Sequence, residues 1–171
     1  MSTTLEDVSL LMEVLRERWV VALATTTPDR SPYATPLFYA VASLPPIAAP
    51  ILVFASRAET CHGQAIGDGP ATVAGAVYLE TEDLGVLRGV QLRGDVAVCS
   101  RLRAEDHTAL RIAYLARHPS AAPRLGPRDQ LYALAVTWAK LTDNRLGFGV
   151  RRTWTFASPW PPGRDENRGR E

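Results

Sequence analysis

The sequence predicts a mainly β protein with a few helices: an antiparallel β-barrel, closed or nearly closed, with helices plugging or flanking it. Three observations lead to that class. Runs of β character recur with turn residues between them, two stretches carry apolar residues at helical spacing, and too few helices separate the strands for a parallel α/β sheet.

Thr3-Thr4 followed by Glu6 and Asp7 resembles a capping box, and Leu5, Val8, Leu11, Met12 and Leu15 then mark an amphipathic helix near residues 5–18. Trp19–Thr26 reads as a strand, stopped by the turn chemistry of Thr27-Pro28-Asp29-Arg30-Ser31, and Tyr33–Ala42 completes a hairpin. Leu44–Pro50 holds three prolines and is a loop before the strand Ile51–Ala55. A short helix carrying Thr60, Cys61 and His62 closes at Gly67-Asp68-Gly69-Pro70, and Ala71–Leu79 resumes a β pattern. Arg88–Cys99 alternates apolar and polar residues, with Gly94 marking a bulge between its halves. Ala104–His118 is a second amphipathic helix stopped by Pro119. Leu131–Leu141 and Val150–Phe156 are the last strands, joined by a turn ending in Gly147-Phe148-Gly149.

Length and composition bound the rest. A chain of 171 residues with 46% hydrophobic content supports one domain, placed at residues 1–157. From Ser158 to residue 171 prolines and mixed charges replace apolar residues, which predicts a disordered tail. With 19 basic against 18 acidic residues the net charge is +1, so a nucleic-acid or polybasic membrane function has no support. No apolar run is long enough for a membrane span, and acidic residues stand where a signal peptide has basic ones, which predicts a cytoplasmic protein. Cys61 and Cys99 form no disulfide framework. A metal site is not expected, because adjacent Cys61-His62 and the distant His107 and His118 lack zinc-ligand spacing.

The segment Phe54–Pro70, FASRAETCHGQAIGDGP, carries most of the functional information. A strand ending in Ser56-Arg57 and turning at once into a helix gathers hydroxyls, a guanidinium and an imidazole where backbone N–H groups favour an anion, with phosphate the natural ligand. The plainer alternative is that Thr60 caps the helix and Arg57 is solvated. No dinucleotide fingerprint, Walker loop or nucleophile elbow is present, and the single lysine, Lys140, gives no sign of Schiff-base chemistry. With no general base or nucleophile in view, no catalytic residue is named; a cofactor such as a flavin would carry the chemistry. Gln91 as an ordinary outward strand residue and Trp154 as core are the plain alternatives to cofactor contacts.

The stretches ATTTPDRSPYATPLFYAV, FASRAETCHGQAIGDGPATVAG and RGVQLRGDV, in that order, resemble the pyridoxamine-phosphate-oxidase-like FMN-binding split β-barrels. KLTDNRLGFGVRRTW is similar to the C-terminal signature of a small, uncharacterised bacterial subgroup of that superfamily. The resemblance covers about residues 5–156 and implies a homodimer with two FMN sites built from both chains. It places the strand Thr35, Pro36, Leu37, Phe38, Tyr39 along the flavin ring, and the ribityl phosphate at Phe54–Ser56 and the step Thr60-Cys61-His62, with Arg57 as a compensating charge. Cys61-His62 stands where the family has a basic pair, so one fixed charge is missing. The resemblance also brings Gln91 to the flavin and Trp154 to the ring edge from the partner chain, with Arg151 and Arg152 facing phosphate or substrate. GFGVRRTW lacks the Arg-x-His-Asp-Arg substrate signature of pyridoxamine-phosphate oxidase itself. The expected function is therefore an FMN-dependent oxidoreductase passing electrons between a reduced nicotinamide or similar donor and a small acceptor. A non-catalytic flavin or haem binder on the same barrel and a deazaflavin-dependent reductase are the alternatives.

Overall fold

The computed structural model describes residues 5–160; the expected cap at Thr3-Thr4 and residues 161–171 of the expected tail lie outside the described residues. The chain runs α1 (Leu5–Glu17), β1 (Val20–Thr26), β2 (Pro32–Ala42), β3 (Ile51–Arg57), α2 (Cys61–Ile66), β4 (Ala71–Tyr78), β5 (Arg88–Val98), α3 (Ala104–Arg117), β6 (Asp129–Asp143) and β7 (Arg151–Thr155), with short 3-10 turns between some of them. All strand pairings are antiparallel, in the order β3-β2-β1-β4-β5-β6-β7, and β3 also pairs with β6, closing six strands into a barrel.

The length of β6 explains how a seventh strand fits. Its first half pairs with β3, from Arg57↔Asp129 to Ile51↔Ala135; beyond that, the same edge is taken over by β7, from Trp138↔Thr155 to Thr142↔Arg151. Opposite the changeover, Arg93 pairs with Trp138 and Gly94 with Val136, so the expected bulge is present, with Thr137 of β6 as its extra residue.

Two apolar layers hold the barrel. Val21, Leu23, Leu52, Phe54, Val90, Leu92, Leu134 and Leu141 fill the interior, joined by Leu11, Val14 and Leu15 from α1. On the outside of β2, β3 and β6, α3 lays Leu110 and Tyr114 over Ile51, Val53, Ala133 and Ala135. Because α3 covers that outer face, Ile51–Phe54 is buried on both sides and reads as an unbroken apolar run rather than an alternating one. Each such side chain contributes about 1.5–3 kcal/mol on burial.

The end of α1 is closed by distant side chains. The Tyr39 hydroxyl donates to the Leu15 carbonyl, and Arg117 Nη2 donates to the carbonyls of Arg16 (2.9 Å) and Arg18 (3.2 Å) while its guanidinium lies 3.4 Å over the Trp19 ring. At the other end of the chain, Ser158 and Pro159 lead to a Trp160 that packs on the α3 layer and donates its indole N–H to the Asp95 carbonyl at 3.0 Å. A large apolar ring with one donor to satisfy holds the chain past residue 157, the expected limit of the domain.

Candidate functional site

Side chains on a strand alternate between its two faces, and β3 sorts its last residues accordingly. Ser56 falls on the side of Leu52 and Phe54, at the barrel mouth; Arg57 falls on the side of Ile51 and Val53, where its Nε lies 3.3 Å from Asp129 on β6. Thr60 then caps α2, accepting from the Gly63 N–H at 3.1 Å and donating to the Arg57 carbonyl at 2.8 Å. Gly63 seats the helix against the strand end: a Cβ there would stand 2.3 Å from the Arg57 carbonyl oxygen.

This seating buries His62, which is 6% exposed, among hydroxyls. Its Nε2 is 2.6 Å from Ser56 Oγ and 3.2 Å from Thr60 Oγ1, and Tyr33 stacks on the ring with centroids 6.5 Å apart. The Thr60 proton is committed to the Arg57 carbonyl, so Thr60 can only accept from His62, which places the imidazole proton on Nε2. Ser56 then accepts from the same N–H, and its own hydroxyl has Thr60 Oγ1 at 3.3 Å, a long contact that a ligand oxygen can displace. Ser56 is thus a donor aimed at an acceptor oxygen, not a nucleophile activated by a base. His62 Nδ1 is buried without a partner among the described residues.

Burial pushes the His62 pKa below the ordinary histidine value, so the ring is neutral at pH 7. The unfolded chain takes up a proton near pH 6.5 that the folded chain refuses, so stability falls as the pH drops from there toward the folded pKa. Melting temperatures at pH 7.5 and about 5.5 should therefore differ, and by less in His62→Gln; an equal pH dependence in the variant would count against this assignment.

Ser56, Thr60 and His62 are brought together, and Tyr33, which the sequence reading did not single out, joins them. Arg57 faces the other side. Thr35 and Leu37 share a strand face with Tyr33 and are half-buried, with Leu37 packed on the interior cluster. Tyr39 and Trp154 are 1% and 2% exposed and belong to the core, so their rings are closed to a ligand in the single chain. Gln91 is exposed on the outer face, in register between Ala76 of β4 and Lys140 of β6. Arg151 and Arg152 are exposed on β7, and Cys61 is an exposed free thiol at the first position of α2. A larger hollow, about 630 Å³, lies between the loop at 46–49 and the chain after β7; among the described residues no titratable side chain lines it.

The outer face beside Gln91 has an unusual floor. The registers set Ala22, Ala24, Ala34, Pro36, Ala74 and Ala76 side by side across β2, β1 and β4. Val20, Phe38 and Tyr78 stand at its edge, 39%, 61% and 58% exposed, and Arg93 stacks over Trp138 at 4.8 Å.

Comparison with solved structures places this topology. The chain superposes on a haem-binding protein from Mycobacterium smegmatis with a TM-score of 0.68, at 20% identity over 84% of this chain and 55% of that one. It also matches an FAD-binding protein from Mesorhizobium loti (TM-score 0.61, 16% identity, 78% of this chain and 90% of that one). The fold is the split β-barrel. A further split barrel, the FAD-binding protein from M. smegmatis, aligns over 86% of this chain and 96% of that one, with a TM-score of 0.57 and 14% identity. In sequence, the split-barrel chain is similar to UPF0306 proteins: 33% identical over 99 residues to one from Klebsiella pneumoniae strain 342, and 34% identical over 100 residues to YhbP from Escherichia coli O139:H28. Each match covers 58% of this chain and 63% of the relative, so under two thirds of the relatives' length is spanned. No protein-family model matches. No helix among the described residues is long and apolar enough to cross a membrane.

Proposed function

We propose that the chain binds FMN between two copies of itself and serves as a cytoplasmic oxidoreductase between a reduced nicotinamide or similar donor and a small acceptor. The observation that carries this reading is the hydroxyl cluster at the end of β3, where Ser56 makes only a long 3.3 Å contact to Thr60 Oγ1 with its own proton and can turn it to a ligand oxygen. The donor set suits the oxygens of a phosphate ester. Ser56 would hold it, with Thr60 and His62 fixing Ser56 and Tyr33 holding the His62 ring. A bound flavin supplies hydride and single-electron transfer, so the chain need only orient it and exclude water.

Dimerisation is supported by the alanine floor, since a flat apolar face rimmed by aromatic rings is the kind of surface a second copy covers. Ala24→Arg, at the middle of that floor, is expected to convert a species of about twice 18.7 kDa into a monomer in sedimentation. An unchanged mass would exclude this face.

Charge is what the cluster lacks, since Arg57 turns toward Asp129 and Cys61 stands where the related barrels have a cation. Cys61→Arg is therefore expected to tighten FMN binding by about 1.5–3 kcal/mol, the scale of a charge-assisted hydrogen bond. Ser56→Ala should weaken it about tenfold, and Arg57→Ala should change it by no more than about twofold. A fluorescence titration in which Ser56→Ala binds as well as the parent chain would overturn the reading.

Haem is the competing cofactor, but its axial ligand needs a reachable ring nitrogen. His62 Nε2 is spent on hydroxyls, and His118 Nε2 donates to the Tyr39 carbonyl at 2.9 Å. That leaves His107 and His118 Nδ1 as the ring nitrogens a haem iron would have to use, both away from the Ser56 cluster. A flavin band on reconstitution supports FMN; a Soret band with haemin and none with flavin would reverse the assignment.

A further inference from the structure

Where the end of α3 meets β2, on the strand face opposite the Ser56 cluster, the fold forms an open hollow of about 300 Å³. Three rings line it: Phe38, which is 61% exposed, Tyr114 and His118. His118 stands 5.8 Å from Phe38 and 5.0 Å from Tyr114, centroid to centroid. The volume is at the lower end of small-molecule sites and suits a single aromatic ring.

Each polar group on the wall has a definite capacity. The Tyr39 carbonyl can only accept, so His118 carries a proton on Nε2, and Nδ1 is left to the hollow. Tyr114 is 6% exposed, and its hydroxyl makes no hydrogen bond to another described residue. The hydroxyl oxygen is not sealed from solvent, so a ligand in the hollow can reach it.

Charge selects the ligand. Asp129 is already compensated, by Arg57 Nε at 3.3 Å and by the Gly126 N–H at 2.7 Å. Arg124, also on the wall, makes no ion pair with a described residue. The cavity therefore holds aromatic walls, one unspent phenol and one unmatched positive charge. From this we infer that it is a binding site for a small aromatic carboxylate, with the ring against Phe38 and His118 and the carboxylate on Arg124. Apart from Phe38, which the resemblance lays along the flavin ring, the site uses none of the residues assigned to FMN, and its test does not depend on cofactor.

The test is titration of the full-length protein with benzoate, p-hydroxybenzoate and benzamidine, followed by backbone amide shifts. Saturable shifts around Phe38, Tyr114 and His118 are expected with both acids and not with benzamidine. Arg124→Gln should weaken benzoate binding roughly tenfold at an unchanged melting temperature. Tyr114→Phe, which keeps the packing, should weaken p-hydroxybenzoate more than benzoate. No saturation by either acid, equal binding of benzamidine, or benzoate affinity untouched by Arg124→Gln would each overturn the assignment.

Discussion

Arg88→Ala is expected to cost the fold about 3–5 kcal/mol, because it leaves a buried carboxylate without one of its counter-charges. Arg88 opens β5 and is 2% exposed; its Nε lies 2.9 Å from Asp143 Oδ2 at the end of β6, and Asp143 is itself 2% exposed. The same guanidinium reaches Glu17 at 2.6 Å and Glu13 at 3.4 Å, so it ties α1 to the barrel. Arg145 donates to Asp143 from its backbone N–H and its side chain, and these bonds, with Arg88, hold the carboxyl below the usual aspartate range against the opposing effect of burial. Asp143 therefore contributes stability that is present above the unfolded pKa of about 3.9 and is lost as the pH falls through the lower folded value. Urea unfolding at pH 7 measures the effect. Arg88→Met paired with Asp143→Leu should recover most of it, since the charges then left over, on Glu13, Glu17 and Arg145, are all reached by water. A loss below about 1 kcal/mol in the single variant would mean that water reaches Asp143.

Gly94→Ala should be comparably damaging, at about 3 kcal/mol or more. A Cβ at Gly94 would stand 2.1 Å from the Ala135 carbonyl oxygen and 2.7 Å from Leu134 Cδ1, and a ladder carbonyl cannot move aside without breaking the pairing at the bulge. Gly75 supplies the comparison. Its Cβ would press on the ends of Leu92 and Val21, at 3.1 Å each, and meet the Ala22 carbonyl oxygen at an ordinary 3.5 Å, so Gly75→Ala should cost clearly less. Thermal unfolding of both variants checks the order, and the reverse order would refute the geometry at β5 and β6.

What the sequence discloses follows the range over which each signal acts. The Thr27–Ser31 turn, the short α2 with its Thr60 cap and the glycine at the bulge are local, and each is legible in a few residues. Alternation also separates Ser56 from Arg57, yet adjacency in the chain invites reading them as one site. The Arg88–Asp143 pair joins residues that look like an ordinary strand start and a turn, and only the barrel closure brings them together. Tyr39 and Trp154 illustrate the limit differently: an aromatic ring serves a core or a ligand equally well, and the depth of the layer behind it decides which. Tyr33 escaped notice for a related reason, since its stacking on His62 depends on α2 folding back across β2.

The way α1 is finished bears on the order of folding. A helix of 13 residues is marginal by itself, and the carbonyls at its end wait for a tyrosine on β2 and an arginine at the end of α3. Arg117 lies about a hundred positions downstream of those carbonyls, so this closure must follow collapse of the strands and cannot nucleate it. Removing these bonds, as in Tyr39→Phe or Arg117→Met, should accelerate unfolding while leaving the refolding rate nearly unchanged, which makes the first helix the last part of the molecule to set and the first to let go.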